Sequence, residues 1–292
     1  MADYTRPPCL TTWRSRCYNP GVSDERPLPD LDRLSTLAAL ILLAFALARI
    51  IQLPSLELEV SAFNLLIPLT INTRNIMLML AALLSVVGAD WLVQSHPQAP
   101  TGRRAVERWI LPGLTALGIG SLLTRLSEGW PLWIGLVLTT LLLLGVFLAE
   151  YLTIDPKDPR RIAAAHGLEL LAYMLVLGTA FTFRLMDLRV IFLAPASFAA
   201  STSVAWRLFR LRMPHTRSLA HAAVAGWGFG QLAVSLHYWP MPPVQGSLLL
   251  ILYFYLAVAF IGEVVRGSMN KGRGIELSII GALGVAGILL LA

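Results

Sequence analysis

Five ionisable side chains stand near the ends of apolar segments, where they could bind a ligand or transfer protons. Asp90, Glu150 and Glu263 come near the ends of three segments, and His166 and Glu169 come near the start of another. His166 and Glu169 are three residues apart and share one helix face, a spacing suited to a metal or to an acid acting with a base. The five residues form a candidate site.

Arginines close to the same segment ends support a second interpretation. Ion pairs or snorkelling would neutralise the acids without any catalysis. The arginines concerned are Arg103, Arg104, Arg160, Arg161, Arg207, Arg210, Arg212 and Arg266. Convergence of Glu150, His166 and Glu169 within about 5 Å around a cavity would favour a site, whereas an arginine at each acid would favour ion pairs.

Nine apolar segments must position these side chains, and each is long enough to cross a bilayer. The chain is 56% apolar and only 14% charged, with a mean hydropathy of +0.68. We therefore predict an all-α integral membrane protein, a polytopic bundle of about nine transmembrane helices in which residues 34–292 form one domain. The segments cover about 34–53, 75–94, 109–125, 131–152, 163–183, 188–208, 218–239, 245–265 and 274–292.

The basic residues indicate how the bundle is oriented. Of the 23 Lys and Arg residues, 18 fall in the amino-terminal tail and alternate connections, and five fall on the other side. By the positive-inside rule, the amino terminus is cytoplasmic and the carboxyl terminus extracytoplasmic, in the plasma (inner) membrane. The same pattern accounts for the net charge of +6, so nucleic-acid binding is not supported.

The residues before and after the first segment have sequence patterns of their own. Residues 1–33 are rich in Pro, Arg and Asp without hydrophobic periodicity, which predicts a disordered cytoplasmic tail. Cys9 and Cys17 in that tail match no common zinc or redox spacing and are expected to be free thiols. Residues 54–74 contain two runs of alternating apolar residues, which predict a short extracytoplasmic β-hairpin that caps the bundle or covers a cavity.

Few groups inside the segments carry charge, and this restricts the function. No Asp, Glu, Lys, Arg or His lies near the middle of any segment. Proton pumps, ion-coupled carriers and voltage sensors generally need such a group at mid-depth, so these classes are disfavoured. On the predicted outer side, Arg74, Arg125, Arg184 and Arg189 are candidates for an anion or lipid-headgroup site, with local ion pairs as the alternative.

Small residues at regular spacing predict where helices approach closely. Ala222, Gly226 and Gly230 recur every four residues on one face of the seventh segment. Gly281, Gly284 and Gly287 recur every three residues in the ninth segment and suggest another helix contact.

Two functional hypotheses from different classes follow. The first is a non-enzymatic bundle, acting as a subunit or assembly factor of a membrane complex, or as a carrier of a lipid or neutral solute. The second is a lipid-modifying membrane enzyme whose acid and histidine site lies at the cytoplasmic boundary. No cofactor or metal is predicted, and the expected partners are the lipid bilayer, with other membrane subunits or a lipid ligand as further candidates.

Overall fold

A computed structural model describes residues 31–50, 56–62, 65–71, 73–97, 106–123, 125–127, 129–186, 189–213 and 218–290. Most of the predicted tail, including Cys9 and Cys17, lies outside these residues, as do Arg103 and Arg104. The first helix begins at Leu31, so the last three residues assigned to the tail are helical.

The described residues contain nine α-helices, and each overlaps one of the predicted apolar segments. A 3-10 turn, Val106–Arg108, precedes the third helix. The helices are α1 (Leu31–Ile50), α2 (Thr73–Gln94), α3 (Ile110–Leu123), α4 (Trp130–Leu152), α5 (Arg161–Leu185), α6 (Val190–Arg212), α7 (Ser218–His237), α8 (Pro243–Arg266) and α9 (Lys271–Leu290).

Six helices are long and apolar enough to cross a membrane, namely α2, α4, α5, α7, α8 and α9. Their composition indicates a helical membrane protein. Helix α3 has only 14 residues, which is about 21 Å at 1.5 Å per residue. Helix α6 has 23 residues, but its last turn carries Arg210 and Arg212. It continues four residues beyond the predicted segment, and this extension places both arginines on the helix.

Two seven-residue strands lie between α1 and α2. Strand β1 (Leu56–Ala62) pairs antiparallel with β2 (Leu65–Ile71), in a register that sets Leu56 opposite Ile71 and Ala62 opposite Leu65. Both strands fall within residues 54–74.

The buried apolar residues form two clusters, and α3 and α4 each contribute to both. One cluster contains residues from the first four helices, α1 through α4, and includes Ile41, Ala81 and Phe147. The other contains residues from α3 through α8 and includes Val146 and Phe254. Val146 and Phe147 are consecutive on α4, so neighbouring residues of this helix face different clusters. Helix α4 therefore lies between the two halves of the bundle.

Helix α9 lies at the periphery. It packs mainly against α8, and none of its described residues is buried. Helix α8 ends at Arg266 and is capped by Gly267, whose φ of 68° lies in the left-handed region that favours glycine. The chain from Gly267 to Asn270 then reverses direction, and the start of α9 lies beside the end of α8.

Candidate functional site

The predicted acids lie at one end of the bundle, which we call the arginine-rich end. Helices α2, α4, α6 and α8 end there, and α5, α7 and α9 begin there. Acids at the carboxyl end of a helix face the negative pole of its dipole, so they need an opposing positive charge. Arg207, Arg210 and Arg212 on α6 supply much of that charge.

Glu150 and Arg207 form a buried ion pair in the interior. Glu150 is 0% exposed and Arg207 is 3% exposed. The Arg207 Nε donates to Glu150 Oε1 at 3.1 Å, and Arg207 Nη2 donates to Glu150 Oε2. This two-point geometry fixes both side chains, and it neutralises an acid that burial would otherwise strongly disfavour.

Further charges surround this pair. Glu107 forms an ion pair with Arg210, with 3.6 Å between Glu107 Oε1 and Arg210 Nε. Arg108 lies close to Arg207, Glu150 and Glu107, and burial together with the positive charge of Arg207 lowers the pKa of its guanidinium. These residues, with Glu150 and Arg207, form the Glu150 cluster. The cluster contains three arginines and two glutamates.

A second group of charges lines a cavity of about 460 Å³ between α5, α6, α8 and α9, which we call the Arg212 cavity. Its lining contains three arginines and three glutamates, Arg212, Arg266, Arg273, Glu169, Glu263 and Glu276. Arg212 pairs with Glu169, and Arg273 Nη1 donates to Glu276 Oε2 at 2.6 Å. Arg266 Nη2 and Arg273 Nε each lie 3.9 Å from Glu263 Oε1.

The structure therefore places the five residues of the candidate site in three different surroundings. His166, Glu169 and Glu263 line the Arg212 cavity, with 4.0 Å between His166 Nδ1 and Glu169 Oε2. Glu150 belongs to the separate Glu150 cluster. Asp90 accepts hydrogen bonds from Trp109 Nε1 at 3.1 Å and from Gln94. Within the described residues, no group of three His, Cys, Asp or Glu side chains could hold a metal ion.

Of the four arginines in the predicted outer site, the three with described side chains do not line one cavity. Arg184 lines a cavity of about 200 Å³ between α5, α6, α7 and α8. Arg125 and Arg189 are exposed, and neither lines that cavity. Arg74 lies in α2, but its side chain is outside the described part of the structure.

The small residues of α7 lie against α6. Ala222 is fully buried. A Cβ at Gly226 would lie 2.0 Å from Thr202 Oγ1 and 3.0 Å from the Thr202 backbone nitrogen. A Cβ at Gly230 would be 3.5 Å from the Ala194 carbonyl oxygen, which is an ordinary contact. Gly226 is therefore the position where the two backbones approach too closely for a side chain.

The glycines of α9 make less demanding contacts. A Cβ at Gly284 would come within 2.7 Å of Leu252 Cδ2, and one at Gly281 within 3.1 Å of Leu256 Cδ1. Both neighbours are ends of flexible side chains. A Cβ at Gly287 would meet nothing within 4 Å.

Sequence reasoning missed residues that complete these sites. One of them is Arg273, which lies three residues before Glu276 on α9, a spacing that predicts an ion pair on one helix face. Tyr255 also lines the Arg212 cavity, but one aromatic residue within the apolar α8 segment gives no sequence signal. Gly246 makes room for Arg184 across 62 residues of sequence, so its role appears only in three dimensions.

His96 is a buried histidine next to the Glu150 cluster. It follows α2, is 5% exposed, and packs edge-on against Tyr151 with 4.7 Å between ring centroids. Burial lowers its pKa below the usual 6.5, and the positive Arg108 acts in the same direction, while Asp155 and Asp158 oppose the shift. The folded protein therefore favours neutral His96.

This preference predicts a loss of stability in mild acid. Protons bind His96 more weakly in the folded chain than in the unfolded chain, so its contribution is complete above about pH 6.5 and is lost as the pH falls through the folded pKa. Thermal unfolding in detergent between about pH 7 and pH 5 should show a falling Tm. We expect a weaker dependence in His96→Gln than in the wild-type protein. An unchanged pH dependence in His96→Gln would contradict this assignment.

Comparison with known proteins identifies a family. No curated protein and no solved structure matches the chain. The family model described as "Protein of unknown function (DUF5656)" matches residues 51–291, which include the hairpin, helices α2 to α9 and both cavities. The chain therefore belongs to the DUF5656 family of proteins of unknown function.

Proposed function

We propose that this chain is a non-enzymatic, multi-pass plasma-membrane protein that binds the headgroup of a zwitterionic phospholipid in the Arg212 cavity. The observation that carries the proposal is the balanced charge of that cavity, whose lining has three arginines and three glutamates. A headgroup with one phosphate and one ammonium group complements such a lining. Phosphoethanolamine is the simplest headgroup of this kind.

The proposed topology has nine spans, with the amino terminus in the cytoplasm and the carboxyl terminus and β-hairpin outside. The 18 to five division of basic residues supports this orientation. Helix α3 is about 9 Å shorter than a hydrocarbon core of about 30 Å. Half of its 14 residues are buried, so neighbouring helices rather than lipid surround much of it, and this makes a short span tolerable.

The ion pairs of the Arg212 cavity are suited to exchange with a ligand. The side chains of Arg266 and Arg273 are 45% and 53% exposed, and both lie near the single carboxylate of Glu263. Exposed ion pairs contribute little to stability, so a phosphate can replace a carboxylate at these guanidinium groups at small cost. The displaced Glu263 or Glu276 carboxylate can then accept hydrogen bonds from the ammonium group.

The cavity also has an apolar wall. Ala165 on α5, Ala259 on α8 and Leu277 on α9 line it together with the charged side chains. A phospholipid presents a charged headgroup joined to apolar chains, and a lining with both characters fits that chemistry better than it fits a small ion.

The pairing of the acids favours binding over catalysis. Glu150 is bound at two points by Arg207, and Glu169 is bound by Arg212. A lipid-modifying enzyme would need at least one of these acids available to transfer a proton or hold a metal. The enzyme hypothesis therefore becomes the weaker alternative.

A membrane-complex subunit remains the second candidate because of α9. A spanning helix with no buried residue in its described length has a large surface available to another protein. Gly287 lies on this helix with open space around it, which would let a partner helix approach closely.

The proposal predicts retention of a specific lipid. Protein purified in mild detergent and incubated with equal amounts of phosphatidylethanolamine and phosphatidylglycerol should retain the ethanolamine lipid in native mass spectrometry. Ala165→Leu fills the cavity without changing its charges and should reduce retention by about fivefold or more. Ala163→Leu is the matched control, because Ala163 is on the same helix but lines another surface.

Two results would contradict lipid binding at this cavity. One is equal retention of both lipids by the wild-type protein, and the other is unchanged retention in a folded Ala165→Leu variant. Co-purification of a stoichiometric protein partner without retained lipid would support the subunit role instead.

A further inference from the structure

The cavity at the other end of the bundle, which we call the Arg184 cavity, has the features of a second binding site. It lies where α5 and α7 end and α8 begins, and Phe183, Arg184, Leu193, His237 and Leu250 contribute to its lining. Its volume is about 200 Å³, and Trp239, 64% exposed, stands at its edge. None of its lining residues belongs to the Arg212 cavity or to the Glu150 cluster.

The Arg184 guanidinium is held in a fixed position by neutral groups. Nη1 donates to the Leu236 carbonyl oxygen at 3.0 Å, and Nη2 donates to the Met241 carbonyl oxygen at 3.1 Å. These two oxygens orient the group without neutralising its charge. Arg184 forms no ion pair with a carboxylate among the described residues, and Asp187 lies outside them.

Gly246 on α8 completes this arrangement. A Cβ at this position would lie 2.5 Å from Arg184 Cζ, 2.6 Å from Nε and 2.8 Å from Nη1. Because the three distances are similar, the guanidinium lies flat against the glycine backbone. The absence of a side chain at Gly246 is therefore what gives Arg184 its place in the cavity wall.

We propose that the Arg184 cavity binds an organic anion, namely a carboxylate or phosphate joined to an apolar chain. The oxyanion accepts hydrogen bonds from the guanidinium N–H groups that do not point to Leu236 or Met241, as oriented arginines bind carboxylates and phosphates elsewhere. The apolar chain lies among Phe183, Leu193 and Leu250. The source of the anion is either a free amphipathic acid or the phosphate of a lipid headgroup.

The surrounding electrostatics favour a negative ligand. Helix α8 begins at Pro243, which lines the cavity, and its first turn contains no acidic residue. The positive pole of this helix dipole therefore adds to the charge of Arg184. A positively charged ligand would meet repulsion from both, and a neutral ligand would leave the guanidinium without a counter-charge.

The test uses eight-carbon probes that differ only in their polar group. Octyl phosphate and octanoate, titrated onto the full-length protein in nanodiscs, should bind saturably and raise its Tm, whereas octanol should not. Arg184→Gln should weaken binding of both anions by about tenfold or more. Arg189→Gln is the matched control, because Arg189 is exposed and does not line the cavity. Competition by dihexanoyl phosphatidylglycerol would identify a lipid headgroup as the source, and its failure to compete would identify a free acid.

Several outcomes would overturn the proposal. These are octanol binding as tightly as the anions, equal losses in Arg184→Gln and Arg189→Gln, and unchanged binding in a folded Arg184→Gln variant. If Arg184→Gln does not fold, the wild-type comparison of octyl phosphate with octanol still decides the question. Binding here is independent of phosphatidylethanolamine retention at the Arg212 cavity, so either site can fail without the other.

Discussion

Glu150→Gln is expected to lower the free energy of unfolding by about 3–5 kcal/mol, the usual cost of breaking a buried ion pair. The variant leaves the Arg207 guanidinium, 3% exposed, without its counter-charge. Arg108 is also close by, and its positive charge increases the penalty. Unfolding by sodium dodecyl sulfate in mixed micelles measures this difference directly.

Two further variants separate charge from packing. The double variant Glu150→Leu with Arg207→Met removes both charges and should recover most of the lost stability, because replacing a whole buried pair by apolar groups is often neutral. Glu276→Gln removes one partner of an exposed pair and should have a much smaller effect. A Glu150→Gln variant as stable as Glu276→Gln would show that Glu150 and Arg207 do not form a buried pair.

Gly226→Ala is expected to lower the free energy of unfolding by about 1–3 kcal/mol, as overpacking does in other close-packed interiors. The new Cβ would clash with Thr202 Oγ1 and also approach the Thr202 backbone nitrogen at 3.0 Å. A rotamer change can relieve only the first contact. Helices α6 and α7 must then separate along their shared interface.

Gly178→Ala provides the matched control, because a Cβ at Gly178 on α5 would meet nothing within 4 Å. Alanine favours a helix over glycine, so this variant should equal or exceed the wild type in stability. Adding Thr202→Ala to Gly226→Ala should recover part of the loss by removing the Oγ1 atom. If Gly226→Ala and Gly178→Ala had equal stability, the close approach of α6 and α7 would be wrong.

The positions of the helices were predictable from the sequence because apolar length alone determines them. The ends of the helices were less predictable. Helix α6 continues through Arg212, although the predicted segment ends at residue 208, before Arg210 and Arg212. Pairing with Glu169 makes the added turn favourable, and that acid is 43 residues away in the sequence.

The sequence could not predict that the candidate residues would lie in different surroundings. Asp90 and Glu150 occur in the similar strings Ala-Asp-Trp-Leu and Ala-Glu-Tyr-Leu near the ends of α2 and α4. Glu150 is nevertheless completely buried, whereas Asp90 is partly exposed and bonded to Trp109. The difference arises because α4 lies between two apolar clusters, and hydrophobic periodicity does not reveal which neighbours surround a helix.

The peripheral position of α9 affects how a lipid would reach the Arg212 cavity. Leu277 and Ile280 of α9 form one wall of the cavity, and α9 packs mainly against α8. Moving this helix outward breaks few apolar contacts and leaves both core clusters intact. Such a movement would open the proposed lipid site sideways, towards the acyl chains of the surrounding leaflet, without a passage from the aqueous phase.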